Sequence, residues 1–145
     1  MGRVDGESSW RERRREAAGV HAAALERRKA AETAQARAQL AEFVREMKER
    51  GVEPRPLRAS AAGSGASYRT NVTGWYLRRN RSLGADTDGN FYILGVPGSL
   101  KARLFGVHIP PSDPPLTVGL GARDGESMPL EQLLRLRLEE SDDWT

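Results

Sequence analysis

The chain has 145 residues, 38% hydrophobic, 30% charged and 6% aromatic, a length that suits one small domain with an extension and excludes a multidomain enzyme. With no Cys, a disulfide scaffold, a zinc ribbon, a thiol nucleophile and a cysteine-ligated cluster are excluded. No apolar run approaches the about 20 residues of a membrane span or the about 7 to 15 of a signal-peptide core, so the expectation is a soluble cytoplasmic protein with no membrane partner.

Charge is informative by segment. Residues 1–56 hold 13 basic and 10 acidic side chains, residues 57–84 hold five Arg and no acid, and residues 85–145 hold 5 basic and 10 acidic ones. Such polarity aims a basic strip at an anionic partner or draws two ends of a molecule together. Arg outnumbers Lys 20 to 3, a ratio that with the abundant Ala and Gly reflects GC-rich coding, so the high isoelectric point carries little weight.

Residues 8 to about 50 read as one long helix. Ser8 or Ser9 is placed to cap its start, with Glu12 three residues beyond Ser9 as in a capping box. Lys48 and Arg50 suit the negative end of the helix dipole, Gly51 suits a left-handed C′ position, Val52 supplies the accompanying apolar contact, and Pro54 and Pro56 prevent resumption. Those 43 residues would reach roughly 64 Å, too far to be covered by a small domain. Leu40, Phe43, Val44 and Met47 form an i, i+3, i+4, i+7 stripe able to dock. From Trp10 to Ala38 the only larger apolar residues are Val20 and Leu25, among ten alanines. That part holds by propensity and by i, i+4 pairs such as Arg28 with Glu32 and Glu46 with Arg50. Sustained a/d heptads are missing, so the pattern supports weak self-association at most.

Residues 57–67, small and low in complexity, read as a flexible linker between a helical arm at 1–56 and a folded unit at 68–140. Residues 74–83 and 90–96 read as strands of a hairpin turning across Gly84 to Gly89, where Asp88-Gly89 is the turn dipeptide. Residues 103–109 and 116–120 read as further short strands separated by the stiff Pro110 to Pro115 loop. A leucine-rich helix follows, capped by Ser127 with Pro129 in its first turn, before an acidic tail at 141–145. The fold class expected is α+β: a long N-terminal helix, a linker, then a three- to four-stranded antiparallel sheet with a C-terminal helix.

The run Gly74 to Val96, the segment Asp113-Pro114-Pro115-Leu116 and the segment Gly121 to Ser127 before a leucine-rich helix resemble a group of small uncharacterised proteins from high-GC actinobacteria. The resemblance covers roughly residues 40–138; it implies a coherent fold and a cytoplasmic setting, and no activity or site residues.

Material for catalysis is thin. His21 lies in the arm, and a Ser/His/Asp arrangement would need His108 with its near neighbours Ser112 and Asp113, a spacing that rarely gives the geometry. Asp86, Asp88 and Gly89 echo the middle of a calcium loop, yet Gly84 and Gly95 occupy the positions that need Asp and a bidentate Glu. Asp113, Asp124 and Glu126 are weak candidates for paired carboxylates, and Gly119 and Gly121 do not open a phosphate cradle. The sequons at Asn71 and Asn80 lack a secretory context. No catalytic residue, cofactor or metal is therefore expected.

The main site candidate is a nucleic-acid surface in which Arg78, Arg79, Arg81 and Arg69 supply cations while Tyr76 and Tyr92 supply stacking rings, with Arg58 as a further cation from the linker. Against it, Trp75, Leu77, Phe91 and Ile93 read as core and the arginines as a solvated sheet edge. The expectation is thus a non-enzymatic interaction protein binding another protein through its arm or its β-rich unit, with single-stranded RNA or DNA as the alternative partner.

Overall fold

The computed structural model describes residues 2–61, 63–119 and 127–140. The protein is α+β. A 48-residue helix α1 (Gly2–Glu49) leads into strands β1 (Arg55–Ala61), β2 (Ser67–Tyr76), β3 (Leu83–Asp86), β4 (Phe91–Ile93) and β5 (Gly95–Val96). Helix α2 (Leu100–Phe105), strands β6 (Thr117–Gly119) and β7 (Ser127–Pro129), and helix α3 (Leu130–Glu139) complete the order. The acidic tail at 141–145 and the candidates Gly121, Asp124 and Glu126 lie outside the described residues.

Helix α1 ends as its sequence dictates. Gly51 has φ 72°, its N–H donates to the Lys48 carbonyl at 3.1 Å, and the Val52 N–H donates to the Met47 carbonyl at 3.1 Å, the two bonds of a Schellman motif. Its start differs from expectation: Ser8 and Ser9 lie inside the helix instead of capping it. Of the expected pairs, Arg50 turns to the Leu138 carbonyl at 2.6 Å, while Arg45 bonds Glu42 and Glu49 on the helix surface.

The five-stranded sheet runs β4-β3-β2-β1-β5. Strands β1 to β4 pair antiparallel in sequence order and β5 pairs parallel with β1, so the sheet is mixed and larger than the three or four antiparallel strands expected. Its two edges meet at one residue. The Leu94 N–H donates to the Ser82 carbonyl at 2.8 Å, and the Leu94 carbonyl accepts from the Ser60 N–H at 2.9 Å, which rolls the sheet and splits the expected 90–96 strand into β4 and β5.

Rolling gives the strands two buried faces. Leu57, Ala59, Val72, Tyr92, Leu94 and Ile109 fill the inside. Trp75, Leu77, Leu83, Ala85 and Phe91 point outward and are covered by Ala36, Leu40, Phe43, Val44 and Met47 of α1 and by Leu130, Leu133 and Leu134 of α3. The amphipathic stripe of α1 docks as its spacing requires, with Ala36 extending it one turn. Gly84 faces the inside; an added Cβ there would stand 2.7 Å from Leu57 Cδ1 and 3.1 Å from Leu94 Cδ1, so this packed interior leaves room for glycine alone.

Four expected elements are corrected. The linker at 57–67 is strand β1 followed by a turn, Gly63 and Gly65 at φ 79° and 70°; Leu57, Ala59 and Ala61 are buried while Arg58 is exposed, a period-2 pattern written in small residues. The 74–83 strand stops at Tyr76, and Leu77 to Ser82 turn back through Arg81 at φ 60°. Residues 103–109 are not a strand: Ser99 caps α2 by accepting from the Ala102 N–H at 3.0 Å, and Gly106 ends it. Ser127 lies in β7, opposite Gly119, so α3 begins at Leu130 with no side-chain cap.

Candidate interaction surfaces

The expected arginine and tyrosine surface is dispersed. Tyr92 is 7% exposed, and its hydroxyl donates to Asp86 Oδ2 at 2.9 Å. Asp86 Oδ1 also accepts from the Asp88 and Asn90 N–H groups at 2.9 Å each, and Oδ2 accepts from the Asn90 amide at 3.0 Å. Burial alone would raise the Asp86 pKa, yet these donors together hold it below the ordinary carboxylate value. Burial and the Asp86 carboxylate push the Tyr92 hydroxyl up to about 12. This turn is a structural knot, and its Asp86 carboxylate is engaged by the chain itself.

The arginines after β2 are occupied as well. The Arg78 guanidinium donates to the Gly119 carbonyl, and its desolvation lowers its pKa. Arg79 is ion-paired with Glu140 at 2.8 Å. Arg81 lies over the Tyr76 ring, 5.4 Å from its centroid. The Tyr76 hydroxyl accepts from the Arg58 N–H at 2.8 Å. Of the six main candidates, only Arg69 stands on an exposed strand position clear of that turn.

A different basic pair emerges. Arg58 on β1 is the cross-strand partner of Arg69 on β2, and both are exposed. Like charges directly opposite on a sheet destabilise it, and no acid occurs between Glu53 and Asp86 to offset them. Arg58 bonds Ser67 through Nε at 2.9 Å and through its terminal nitrogen to the Ser67 carbonyl at 3.1 Å, while Arg69 reaches the Leu104 carbonyl at 3.4 Å. Lys101 and Arg103 are exposed on the adjoining α2. The sequence offers both arginines as cations, and the register sets them opposite each other.

The largest exposed element is the arm. From Ser8 to Glu32 every residue of α1 is exposed, with Trp10 at 53% and Leu25 at 50%, and Arg14 stacks over the Trp10 ring at 4.0 Å. Where α1 meets α3 a groove of about 700 Å³ opens, floored by Phe43, Leu134 and Leu138 and rimmed by Glu46 and Glu139. Sequence periodicity identifies both helices; their mutual placement, which makes the groove, it does not.

The catalytic candidates are apart in role. Asp113 pairs with Arg37 of α1 at 2.7 Å, the Ser112 N–H donates to the Phe91 carbonyl at 2.7 Å, and His108 is exposed. The sequon asparagines are structural: Asn71 accepts from the Ile109 N–H at 2.6 Å and donates to its carbonyl at 3.1 Å, and Asn80 accepts from Ser82. Among the described residues no His, Cys, Asp and Glu group is arranged to hold a metal ion, and no helix is long and apolar enough to cross a membrane. No family model, curated protein or solved structure matches the chain.

Proposed function

We propose that this chain is a non-enzymatic interaction protein of the cytoplasm that recognises another protein through its helical arm, with the rolled sheet and α3 as the anchor. The observation that carries this reading is the contrast within one helix: Ala36, Leu40 and Met47 are fully buried, whereas the residues from Ser8 to Glu32 bury nothing. Helical stability in proteins comes mostly from packing of an amphipathic face. An arm that carries Trp10, Val20 and Leu25 into solvent gains that packing when a partner covers it. Capture from nuclease-treated native lysate tests it, using the full chain and a Trp10→Ser, Val20→Ser, Leu25→Ser variant. The reading expects a protein retained by the first and lost by the second; equal retention by both contradicts it.

A second reading has its own observation, the Arg58–Arg69 pair. An anionic polymer laid along β1 and β2 would relieve their repulsion, which supports single-stranded nucleic acid as the alternative partner and moves its contact from the Arg78 to Arg81 turn to the sheet face. Binding would then weaken with salt by a slope of about −0.7 per phosphate contact, and Arg58→Gln with Arg69→Gln would flatten it by about one to two units.

A further inference from the structure

We infer that the groove between α1 and α3 is filled by the arm of a second copy of this chain, so that two chains close into an antiparallel pair; the inference rests on the arm being an interaction surface. Three observations converge on this occupant. The first is length. The α1 wall of the groove runs from Gln35 to Arg50, about 22 Å at 1.5 Å per residue. On the arm Trp10, Ala17, Val20 and Ala24 recur at spacings of seven, three and four and share one face over about 21 Å.

The second is charge. Glu46 and Glu139 on the rim enter no ion pair among the described residues, and neither do Arg11, Arg13 and Arg15 beside Trp10. Opposite charges of this kind set register and orientation when helices associate. The third is an unmet bond. Gln39, which lines the groove, has its Oε1 buried with no hydrogen-bond partner among the described residues. A buried acceptor costs free energy until a donor reaches it, and in the register that seats Trp10 against the Glu46 to Arg50 turn the arm brings Val20 and the imidazole of His21, a ring N–H donor, opposite Gln39.

The arrangement also closes. With two α1 helices antiparallel about a two-fold axis near Lys29 and Ala30, the Trp10 end of each lies against the partner's Glu46 to Arg50 turn while Ala24 lies against its Gln35 turn. Both grooves are filled by one operation, leaving no unsatisfied end to propagate a fibre. The helices cross beside Ala31, seven residues beyond Ala24 on the same face and small enough for close approach, and the missing heptads are no obstacle because each arm packs on two helices at once.

The chain has no Cys, so an introduced pair reports cleanly. Sedimentation of the full chain from about 1 to 500 μM should show conversion from the 16.0 kDa chain to a species of about twice that mass. In Arg13→Cys/Glu46→Cys, a short bismaleimide should link two chains into a covalent dimer. Within one chain the two sites are 33 residues apart along a helix, about 50 Å, beyond its reach. Glu46→Lys/Glu139→Lys should weaken self-association at least tenfold, and mixing it with Arg11→Glu/Arg15→Glu should restore a dimer. A mass of one chain at every concentration overturns the inference, as does a dimer that is neither cross-linked nor weakened by charge reversal, or an open polymer. A chain that stays single yet captures another protein through its arm overturns this occupant while leaving the arm's role intact.

Discussion

The indole N–H of Trp75 donates to the Val52 carbonyl at 3.0 Å, and this bond ties the exit of α1 to the middle of the sheet. The same ring meets Phe43 edge-on, with centroids 6.4 Å apart. Trp75→Phe keeps most of the apolar body, removes the donor and leaves the Val52 carbonyl unmet. The expected cost is about 1–3 kcal/mol, read as a lowered urea midpoint with an unchanged m value. A shift of only a few tenths would mean that water satisfies that carbonyl without loss.

Phe43 and Trp10 lie on one helix and should behave oppositely. Phe43→Ala removes a side chain 2% exposed and should cost about 3–5 kcal/mol, since an aromatic truncation in a packed core leaves a cavity. Trp10→Ala, at concentrations where the chain is single, should stay within about 0.5 kcal/mol. Comparable losses at both positions would show that the arm folds back onto the anchor.

The legible parts of this fold were those written in large side chains at helical spacing. The Leu40 to Met47 stripe, the Gly51 terminator and the leucine-rich α3 all follow from residue type and period. Strand β1 was hidden because Leu57 is its one large apolar residue and Ala59, Ser60 and Ala61 differ little in size, so a low-complexity composition masks a period of two. Helix α2 was misread because six residues give no periodic signal, leaving only the Ser99 cap and Gly106 to mark it. The candidate surface fared similarly. Arg58 and Arg69 are both legible by charge, but their cross-strand pairing is defined by register, and the loss of Arg78, Arg79 and Tyr92 to internal bonds depends on where Gly119, Glu140 and Asp86 fall in three dimensions.

The turn around Asp86 predicts a two-sided pH dependence. The folded-state pKa of Asp86 is held down, so its stabilisation is present above the unfolded carboxylate value and is lost as pH falls through the folded one. The Tyr92 hydroxyl is raised to about 12, so its contribution is complete below its unfolded value near 10 and is lost as pH rises towards about 12. Tyr92→Phe should remove a tyrosinate absorbance step near about 12, raise the Asp86 pKa and lower stability at neutral pH by about 0.5–1.5 kcal/mol. A titration curve that keeps the high step in the variant would contradict the assignment.

Two glycines, one in β3 and one in β5, should respond unequally to alanine. At Gly84 the new methyl meets Leu57 and Leu94 inside the rolled sheet, and overpacking there should cost about 1–3 kcal/mol. At Gly95 nothing lies within 4 Å of the added carbon, so Gly95→Ala should stay within about 0.5 kcal/mol. Thermal unfolding of the pair checks it, and equal midpoints would mean that the inside of the sheet is less filled than its geometry shows.

Hydrogen exchange followed amide by amide along α1, at a concentration where the chain is single, tests most directly that one helix is both anchor and arm. Amides from Ala36 to Met47, which can open only when the core opens, should be protected nearly as strongly as those of β2 and β3, while amides from Ser8 to Glu32 exchange faster by orders of magnitude through local opening. Uniform protection from end to end in the single chain would contradict the account, because it would require a packed face along an arm whose residues from Ser8 to Glu32 are all exposed to water.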